Sequence, residues 1–312
     1  MKITTWIFPA GSLRNSSRGI CVRAHWNGFT AQKKTNMSEQ HYFYLISGLP
    51  DISAEDAHLP FSAKAFLDEH KAQVGENDFR LLCYLYYPND NRNLLDILLG
   101  KKETTPSGGR YSLQELKKGI AGDGALPDYM NRFISAFGEN KNRFSETEWE
   151  ARLTEAYFRE AMNSGNGFLN RWMEFELNLK NLLLLMKNRK QQLPFAEFLM
   201  EANEMAAIMK QNPSVDLSTE SAIDFMSGLS KIMETGNIVE QERKIDLLRW
   251  RKLEEMTFFN YFTVEAIMSF LIKLLIVERW AKLKHDNEAT FLPSILSTYL
   301  EKIEMPETVN IQ

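Results

Sequence analysis

The sequence predicts an all-α protein, a bundle-like body of antiparallel helices, and three observations lead to this prediction. Sixteen glycines and ten prolines make up only 26 of the 312 residues, about 8% against roughly 12% in average proteins, which disfavours turn-rich β architecture. Two segments carry apolar residues at helical spacing on more than one side. Several further segments open with helix-capping residues and are joined by short connections.

Residues 37–144 show the less regular helical pattern. The aromatic run at residues 42–47 fits either a brief strand or the first turn of a helix. Ser112 starts a later helix, with Glu115 at the capping-box position. The predicted helices of this half are residues 62–74, 77–87, 94–99, 112–118 and one that begins at Pro127, and the predicted breaks are residues 48–51, 88–91, 101–110 and 119–126.

From residue 145 onward, long helices dominate the pattern. Ser145 and Glu148 form a second capping box, ahead of a helix that extends to about residue 164. The sequence Gly165-Asn166-Gly167 then breaks the chain, so we expect the flanking helices to form an antiparallel hairpin. The later predicted helices are residues 194–210, 218–235, 238–255, 263–284 and 293–302.

The helix predicted over residues 166–190 carries two apolar stripes. On a helical wheel, one stripe follows alternating steps of three and four residues, and the other lies on roughly the opposite side. Because polar side chains separate the stripes, the helix needs neighbours on both sides and is predicted to be a central strut. The first stripe consists of Trp172, Phe175, Leu179, Leu182 and Met186, and the second of Met173, Leu177 and Leu184.

The segment 258–284 has a similar apolar character. Between residues 264 and 277 its only polar side chains lie on one narrow stripe, so most of this helix is expected to be buried. The three polar side chains of the stripe are Glu265, Ser269 and Lys273.

The two apolar helices also share a short pattern. Glu174-x-x-x-Asn178-Leu-Lys in the first has a counterpart in Glu278-x-x-x-Lys282-Leu-Lys in the second. The similarity fits either chance agreement between helices rich in Leu, Lys and Glu or a decayed internal repeat.

Residues 1–36 differ in composition from the rest of the chain. They contain six basic residues and no acidic one, as an organelle transit peptide does, but a proline and several glycines interrupt any amphipathic helix. We therefore interpret Met37 as the native start and residues 1–36 as a disordered, non-native leader, with a targeting peptide as the alternative. The predicted organisation is this leader, a mostly helical lobe at residues 37–144, and a helical lobe with both apolar helices at residues 145–312.

Charge and hydropathy argue against two kinds of partner. The whole chain carries a net charge of −4 and the leader +6, which leaves −10 on residues 37–312 and argues against nonspecific nucleic-acid binding. The best candidate for a membrane span, residues 266–277, is twelve residues long and interrupted by Lys273, whereas a span needs about 20 apolar residues. Two cysteines, Cys21 and Cys83, form no disulfide framework, which fits a reducing cytoplasm.

The sequence contains no recognisable catalytic, cofactor or metal motif. The glycines at residues 119, 122 and 124 lack the lysine of a phosphate-binding loop. A helical di-metal site needs two Glu-x-x-His motifs, and the single match, Glu55 to His58, lies beside Pro60 in a predicted loop. The residues alone therefore predict a helical protein that is not an enzyme, binds no cofactor or metal, and presents charged helical surface to partners.

Several segments together resemble a known bacterial family. They are Tyr42-Phe43-Tyr44-Leu45 with Gly48-Leu49-Pro50-Asp51, the helix at residues 172–189, Glu242-Arg243-Lys244-x-Asp246 with Arg249-Trp250, and Lys273-Leu274 with Glu278-Arg279-Trp280. In these segments the chain resembles a bacterial family of unknown function that is encoded alongside V-type ATPase subunits. Residues 168–190 and 262–283 also resemble the signature helices of the C-type subunit family of V/A-type ATPases, whose eukaryotic members are the d-type subunits.

The resemblance implies a function without an active site. It implies related helical lobes, and a non-catalytic central-stalk subunit that couples the axle of the ATP-hydrolysing head to the membrane ion-translocating ring. The partners would be the axle and rotor-ring subunits, in the cytoplasm at the inner face of the membrane; an unrelated soluble helical adaptor is the alternative. Among the signature positions, we expect Glu174, Asn178, Lys180, Glu278 and Arg279 to brace helices by polar pairing. The full set is Trp172, Glu174, Asn178, Lys180, Arg189, Arg249, Trp250, Lys273, Glu278, Arg279 and Trp280.

Overall fold

The computed structural model describes residues 42–54, 56, 59, 61–101, 108–191, 199–211 and 223–286. For residues 188–191, 208, 223–227 and 282–286 within these ranges, only the backbone is described. These residues form twelve α-helices and no strand, so the predicted all-α, bundle-like fold is confirmed. The predicted leader, the Glu55/His58 pair and the predicted helix at 293–302 lie outside the described residues. The helices are α1 (Phe43–Ser47), α2 (Ala63–His70), α3 (Glu76–Cys83), α4 (Tyr87–Leu99), α5 (Leu113–Ala121), α6 (Asp128–Asn140), α7 (Glu146–Met162), α8 (Gly167–Gln191), α9 (Glu204–Gln211), α10 (Ile223–Glu234), α11 (Ile238–Thr257) and α12 (Val264–Asp286).

Two capping boxes start α5 and α7 at the residues that the sequence predicts. Ser112 Oγ accepts the backbone N–H of Glu115 (3.3 Å), and the Glu115 carboxylate accepts the backbone N–H of Ser112 (2.7 Å). Ser145 and Glu148 repeat both hydrogen bonds. These bonds hold the pKa of each glutamate below its usual value. Each cap satisfies backbone donors that the helix itself leaves unpaired, a contribution of about 1 kcal/mol.

The predicted break at residues 88–91 is wrong, because these residues belong to α4. Pro88 occupies the first turn of the helix, where its missing N–H removes no helical hydrogen bond. Asp90 is fully buried rather than exposed in a turn. Its carboxylate accepts the backbone N–H groups of Arg110 (2.9 Å) and Tyr111 (3.0 Å), which fixes the chain ahead of α5 against α4.

α9 begins later than predicted. Residues 199–203 have no helical backbone, and residues 194–198 lie outside the described part of the chain. Asn203 caps the helix by accepting the backbone N–H of Ala206 (3.0 Å). The Asn181 side chain pairs with both backbone groups of Met200, at 3.0 and 3.2 Å. Because these side chains satisfy the backbone of the segment before α9, that segment need not be helical.

α8 contributes its first half to one hydrophobic core and its second half to another, and side chains of both predicted stripes are buried. The larger core gathers side chains from α1 to α8, α11 and α12, and the smaller core gathers side chains from α8 to α11. The larger core contains residues from both sides of position 144, and the predicted division into lobes stays a prediction. The α8 side chains in the larger core are Phe168, Leu169, Trp172, Met173 and Leu177, and those in the smaller core are Leu179, Leu182 and Leu185.

α12 is buried along most of its length, and its polar stripe faces other helices. Ser269 is buried, and Glu265 accepts a hydrogen bond from the Asn166 side chain (2.8 Å) at the start of α8. Lys273 contacts α11. Among the helices of the described residues, none is long and apolar enough to cross a membrane.

Candidate functional site

Several residues that carry the family resemblance meet in a polar network between α8, α11 and α12. Arg249 of α11 donates from Nε to Glu176 Oε1 (2.7 Å) and from Nη2 to Glu176 Oε2 (3.1 Å), a two-point contact with α8. Its Nη1 donates to Asp246 Oδ1 (2.9 Å). Burial alone would lower the pKa of Arg249, but the two carboxylates outweigh burial and hold this pKa above its usual range. The guanidinium is therefore a fixed cation between α8 and α11.

Asp246 joins this network to α12. Only 4% of the residue is exposed, and Oδ2 accepts hydrogen bonds from Trp280 Nε1 (2.7 Å) and from Arg279 Nη2. Arg279 also pairs with Glu242 (3.2 Å) at the more exposed edge of the network. Since removing one partner of a buried ion pair leaves the other charge uncompensated, the geometry of three helices depends on this one carboxylate.

A second contact between α11 and α12 centres on Glu254. Its Oε1 accepts hydrogen bonds from Trp250 Nε1 (2.9 Å) and from Lys273 Nζ (3.2 Å). The same ammonium nitrogen lies 4.7 Å from the Trp250 ring centroid, within the range of a cation–π contact. The two signature residues Trp250 and Lys273 thus contact each other and share one acceptor.

Glu278 connects α12 to α2. Its Oε1 accepts the backbone N–H of Ala63 (2.5 Å), the first residue of α2, and the Tyr86 hydroxyl donates to the carbonyl oxygen of the same residue (2.7 Å). A carboxylate at a helix N-terminus pairs an N–H that the helix leaves unpaired and interacts favourably with the helix dipole. Glu278 therefore acts as a capping group supplied by a different helix.

The remaining signature positions lie on α8. Asn178 Oδ1 accepts a hydrogen bond from Asn203 Nδ2 (2.8 Å), and Trp172 packs in the larger core. Glu174 is half-buried, and burial raises its pKa. Lys180 is exposed. The side chain of Arg189 lies outside the described residues.

The acceptors of the network are absent from the predicted signature set. Glu176, Asp246 and Glu254 are the carboxylates that position the predicted arginines, tryptophans and lysine. A signal for one of them was present, because Asp246 lies three residues before Arg249 on the same helix, a spacing that pairs opposite charges. The contact between Glu176 and Arg249 spans 73 residues and depends on how the helices pack.

A cluster of exposed aromatic side chains, here named the aromatic patch, lies where α1 meets the turn between α11 and α12. α12 begins at Val264, one residue after the predicted start of the helix at residues 263–284, and residues 258–263 form this turn. The Tyr42 backbone N–H donates to the Phe262 carbonyl oxygen (2.8 Å), and the rings of Phe43 and Phe262 lie 4.4 Å apart. The exposed members of the patch are Phe43 (50%), Tyr44 (98%), Phe258 (67%), Phe259 (82%) and Tyr261 (66%).

The aromatic patch has the character of a protein-binding surface. Exposed apolar side chains that lie close together mark interaction sites, and aromatic residues dominate the energetics of many interfaces. The segments 42–48 and 258–262 contain no charged residue, so little charge would need to be desolvated there on binding. Composition could have indicated the patch, since four of the five residues from 258 to 262 are aromatic.

The described residues contain no group of three or more His, Cys, Asp or Glu side chains placed to hold a metal ion.

Residues 37–298, which include all twelve helices, match the model of a family described as "Protein of unknown function (DUF2764)". No curated protein matches the chain, and no solved structure does. Because the match extends over most of the sequence, the chain belongs to the DUF2764 family.

Proposed function

We propose that this protein is a non-catalytic central-stalk subunit of a V/A-type ATPase, which couples the axle of the ATP-hydrolysing head to the membrane ion-translocating ring. The link to this machine rests on the sequence resemblance of the strut helix and of α12 to the C-type subunit family. In this role the protein works in the cytoplasm, attached to the inner face of the membrane through its partner subunits.

The polar network is the observation that carries a mechanical role. Side chains at the positions of the resemblance, among them Arg249, Glu278 and Arg279, are engaged in holding α2, α8, α11 and α12 together. A coupling subunit must keep its shape under load, and close-packed interiors with fixed polar contacts transmit strain. A bidentate arginine pair at low exposure supplies such a contact.

The aromatic patch supplies a surface for a partner subunit. Phe259 and Tyr44 expose most of their area although burial of a ring this size is favourable by about 2 kcal/mol or more. A partner that covers the patch would recover this free energy. The patch fits the unrelated helical adaptor equally well, so the identity of the bound proteins separates the two functions.

The test is co-purification of an affinity-tagged copy expressed at its native level. We expect the axle and rotor-ring subunits to be recovered with the tagged protein and identified by mass spectrometry. Tyr44→Ser with Phe259→Ser should reduce their recovery at least tenfold. The matched control is Ile238→Ser, which removes an exposed apolar side chain at the start of α11, about 30 Å along that helix from the patch; it should leave recovery unchanged.

Three results would count against the proposal. Recovery of the intact ATPase from cells that lack this protein, with normal coupling of hydrolysis to ion transport, would exclude a rotor role. Patch-dependent recovery of other proteins would favour the adaptor. Equal losses for the patch variant and for Ile238→Ser would exclude the patch as the specific docking surface.

A further inference from the structure

A groove between α6 and α7 is lined by cationic and aromatic side chains. Its volume is about 370 Å³, and its described lining contains three arginines and no acidic residue. The arginines are Arg132, Arg143 and Arg152. A surface of one sign concentrates ligands of the opposite sign, and this one is positive on a chain whose net charge is −4.

Two of these arginines converge on one ring. The guanidinium carbon of Arg152 lies 3.8 Å from the ring centroid of Phe144, and that of Arg143 lies 5.3 Å from the same centroid. Stacking uses the flat face of a guanidinium and leaves its in-plane N–H groups available for a carboxylate. Two like charges on one ring also repel each other, so an anion between them is favourable.

Arg143 and Arg152 form no ion pair with the carboxylates of the described residues near the groove. The Glu148 carboxylate accepts the Ser145 backbone N–H and hydroxyl, and these hydrogen bonds lower the pKa of Glu148, with a smaller contribution from the charge of Arg152. The third arginine of the groove differs, because Arg132 pairs with Glu160 (3.1 Å).

The inner wall of the groove is aromatic. Trp149 is only 2% exposed, and its ring meets those of Phe133 and Phe144 nearly edge-on, at 5.5 and 5.0 Å. Its Nε1–H has no hydrogen-bond partner among the described residues. An apolar side chain that entered the groove would therefore contact rings, while the arginines at the rim contacted charge.

We propose that the α6–α7 groove binds an acidic polypeptide segment of a partner protein. Its carboxylates would pair with Arg143 and Arg152, and a neighbouring apolar side chain would lie on the aromatic wall. A polypeptide fits better than a small anion, because sites for small ligands enclose most of the ligand and all three arginines are exposed, Arg132 by 67% of its side chain. A chain with several carboxylates instead gains a bidentate contact at each arginine.

The probe is a fluorescein-labelled peptide of sequence EELEEL, and its binding to the full-length protein is followed by fluorescence anisotropy at low ionic strength. We expect saturable binding that weakens at least tenfold in Arg143→Glu with Arg152→Glu, and that weakens as salt is added. Arg143→Lys with Arg152→Lys keeps the charge but removes the fork of donors, so it should weaken binding about threefold. Binding should also change the intrinsic fluorescence of the protein, a change that Trp149→Phe abolishes.

The matched control is Lys231→Glu with Arg251→Glu, which makes the same charge change at exposed positions of α10 and α11. Its affinity for the peptide should stay within about twofold of that of the unchanged protein. An equal loss of affinity in this control would show that net charge alone explains the binding, and would overturn the proposal. So would the absence of saturable binding, or tighter binding of inorganic phosphate than of the peptide. If the charge-reversed variant does not fold, Arg143→Gln with Arg152→Gln takes its place, and unchanged binding in that variant would overturn the proposal as well.

Discussion

Replacing Asp246 with asparagine tests the polar network most directly. The change keeps the shape of the side chain but removes its charge and turns one acceptor into a donor. Asp246 accepts hydrogen bonds from Arg249, Arg279 and Trp280, and at least one of these donors would then face an NH₂ group. A buried hydrogen bond to a charged group contributes about 1.5–3 kcal/mol. Because Arg249 keeps Glu176 as a partner, its charge stays compensated in Asp246→Asn. We therefore expect the variant to lower the free energy of unfolding by about 2–4 kcal/mol, less than the loss that a fully unpaired buried charge would cause.

Urea unfolding followed by circular dichroism measures this loss, and Glu240→Gln is the matched control. Glu240 lies on the same helix and pairs with Lys244, but the side chains of that pair are 51% and 42% exposed, so its loss should cost at most about 0.5 kcal/mol. Combining Asp246→Asn with Glu176→Gln leaves Arg249 with neither carboxylate. The double variant should lose more than the sum of the single losses, by about 1 kcal/mol. Additive losses, or an Asp246→Asn variant as stable as Glu240→Gln, would refute the network as a structural unit.

Three further predictions concern packing and pH. Leu179→Ala should cost about 2–5 kcal/mol of unfolding free energy, because Leu179 is fully buried in the smaller core, whereas the exposed Glu204→Ala should change the urea midpoint little. Burial raises the pKa of Asp90 from 3.8 to about 6, so the folded protein binds this proton more tightly than the unfolded chain does. The protonated carboxyl therefore adds up to about 3 kcal/mol to the free energy of unfolding below pH 4, and this contribution is lost as the pH rises through 6. Asp90→Asn should remove that part of the pH dependence in melts between pH 4 and 7, and an unchanged profile would contradict the assignment. Gly109→Ala should destabilise the protein by about 1–3 kcal/mol, because a Cβ there would overlap Asp90 Oδ1; at Gly108 no atom lies within 4 Å of an added Cβ, so the same change there should be nearly neutral.

The parts of the fold that the sequence predicts correctly depend on local chemistry. The capping boxes of α5 and α7 involve residues three positions apart, so both helix starts can be located from the chain alone. The central position of α8 follows from a helix periodicity that places apolar residues on opposite sides, and side chains of both stripes, Trp172 and Leu179 of one and Met173 and Leu177 of the other, are buried. Neither inference needs knowledge of which distant segment supplies the contact.

The errors arise where a distant segment satisfies a group that sequence rules treat as a break. The Pro-Asn-Asp-Asn run at residues 88–91 is typical of a turn, yet backbone donors some 20 residues away satisfy the Asp90 carboxylate inside α4. The start of α9 differs for the same reason, since Asn181 of α8 pairs with the backbone of Met200. Long-range partners of this kind depend on helix packing, which the periodicity of one chain does not specify.

The location of the resemblance limits what it can imply about partners. Of the side chains that carry it, those at positions 178, 249, 250, 273, 278 and 280 are buried or partly buried and pair within the protein. Sequence similarity at these positions indicates a similar helix arrangement, because these side chains fix how the helices pack. Partner choice depends instead on exposed groups. The arginines of the α6–α7 groove and the patch residues Phe258, Phe259 and Tyr261 lie outside the segments of the resemblance. The patch residues Phe43 and Tyr44 belong to its aromatic opening. What binds these two surfaces therefore tests the proposed rotor function, and substitutions there should change binding while leaving the stability of the polar network intact.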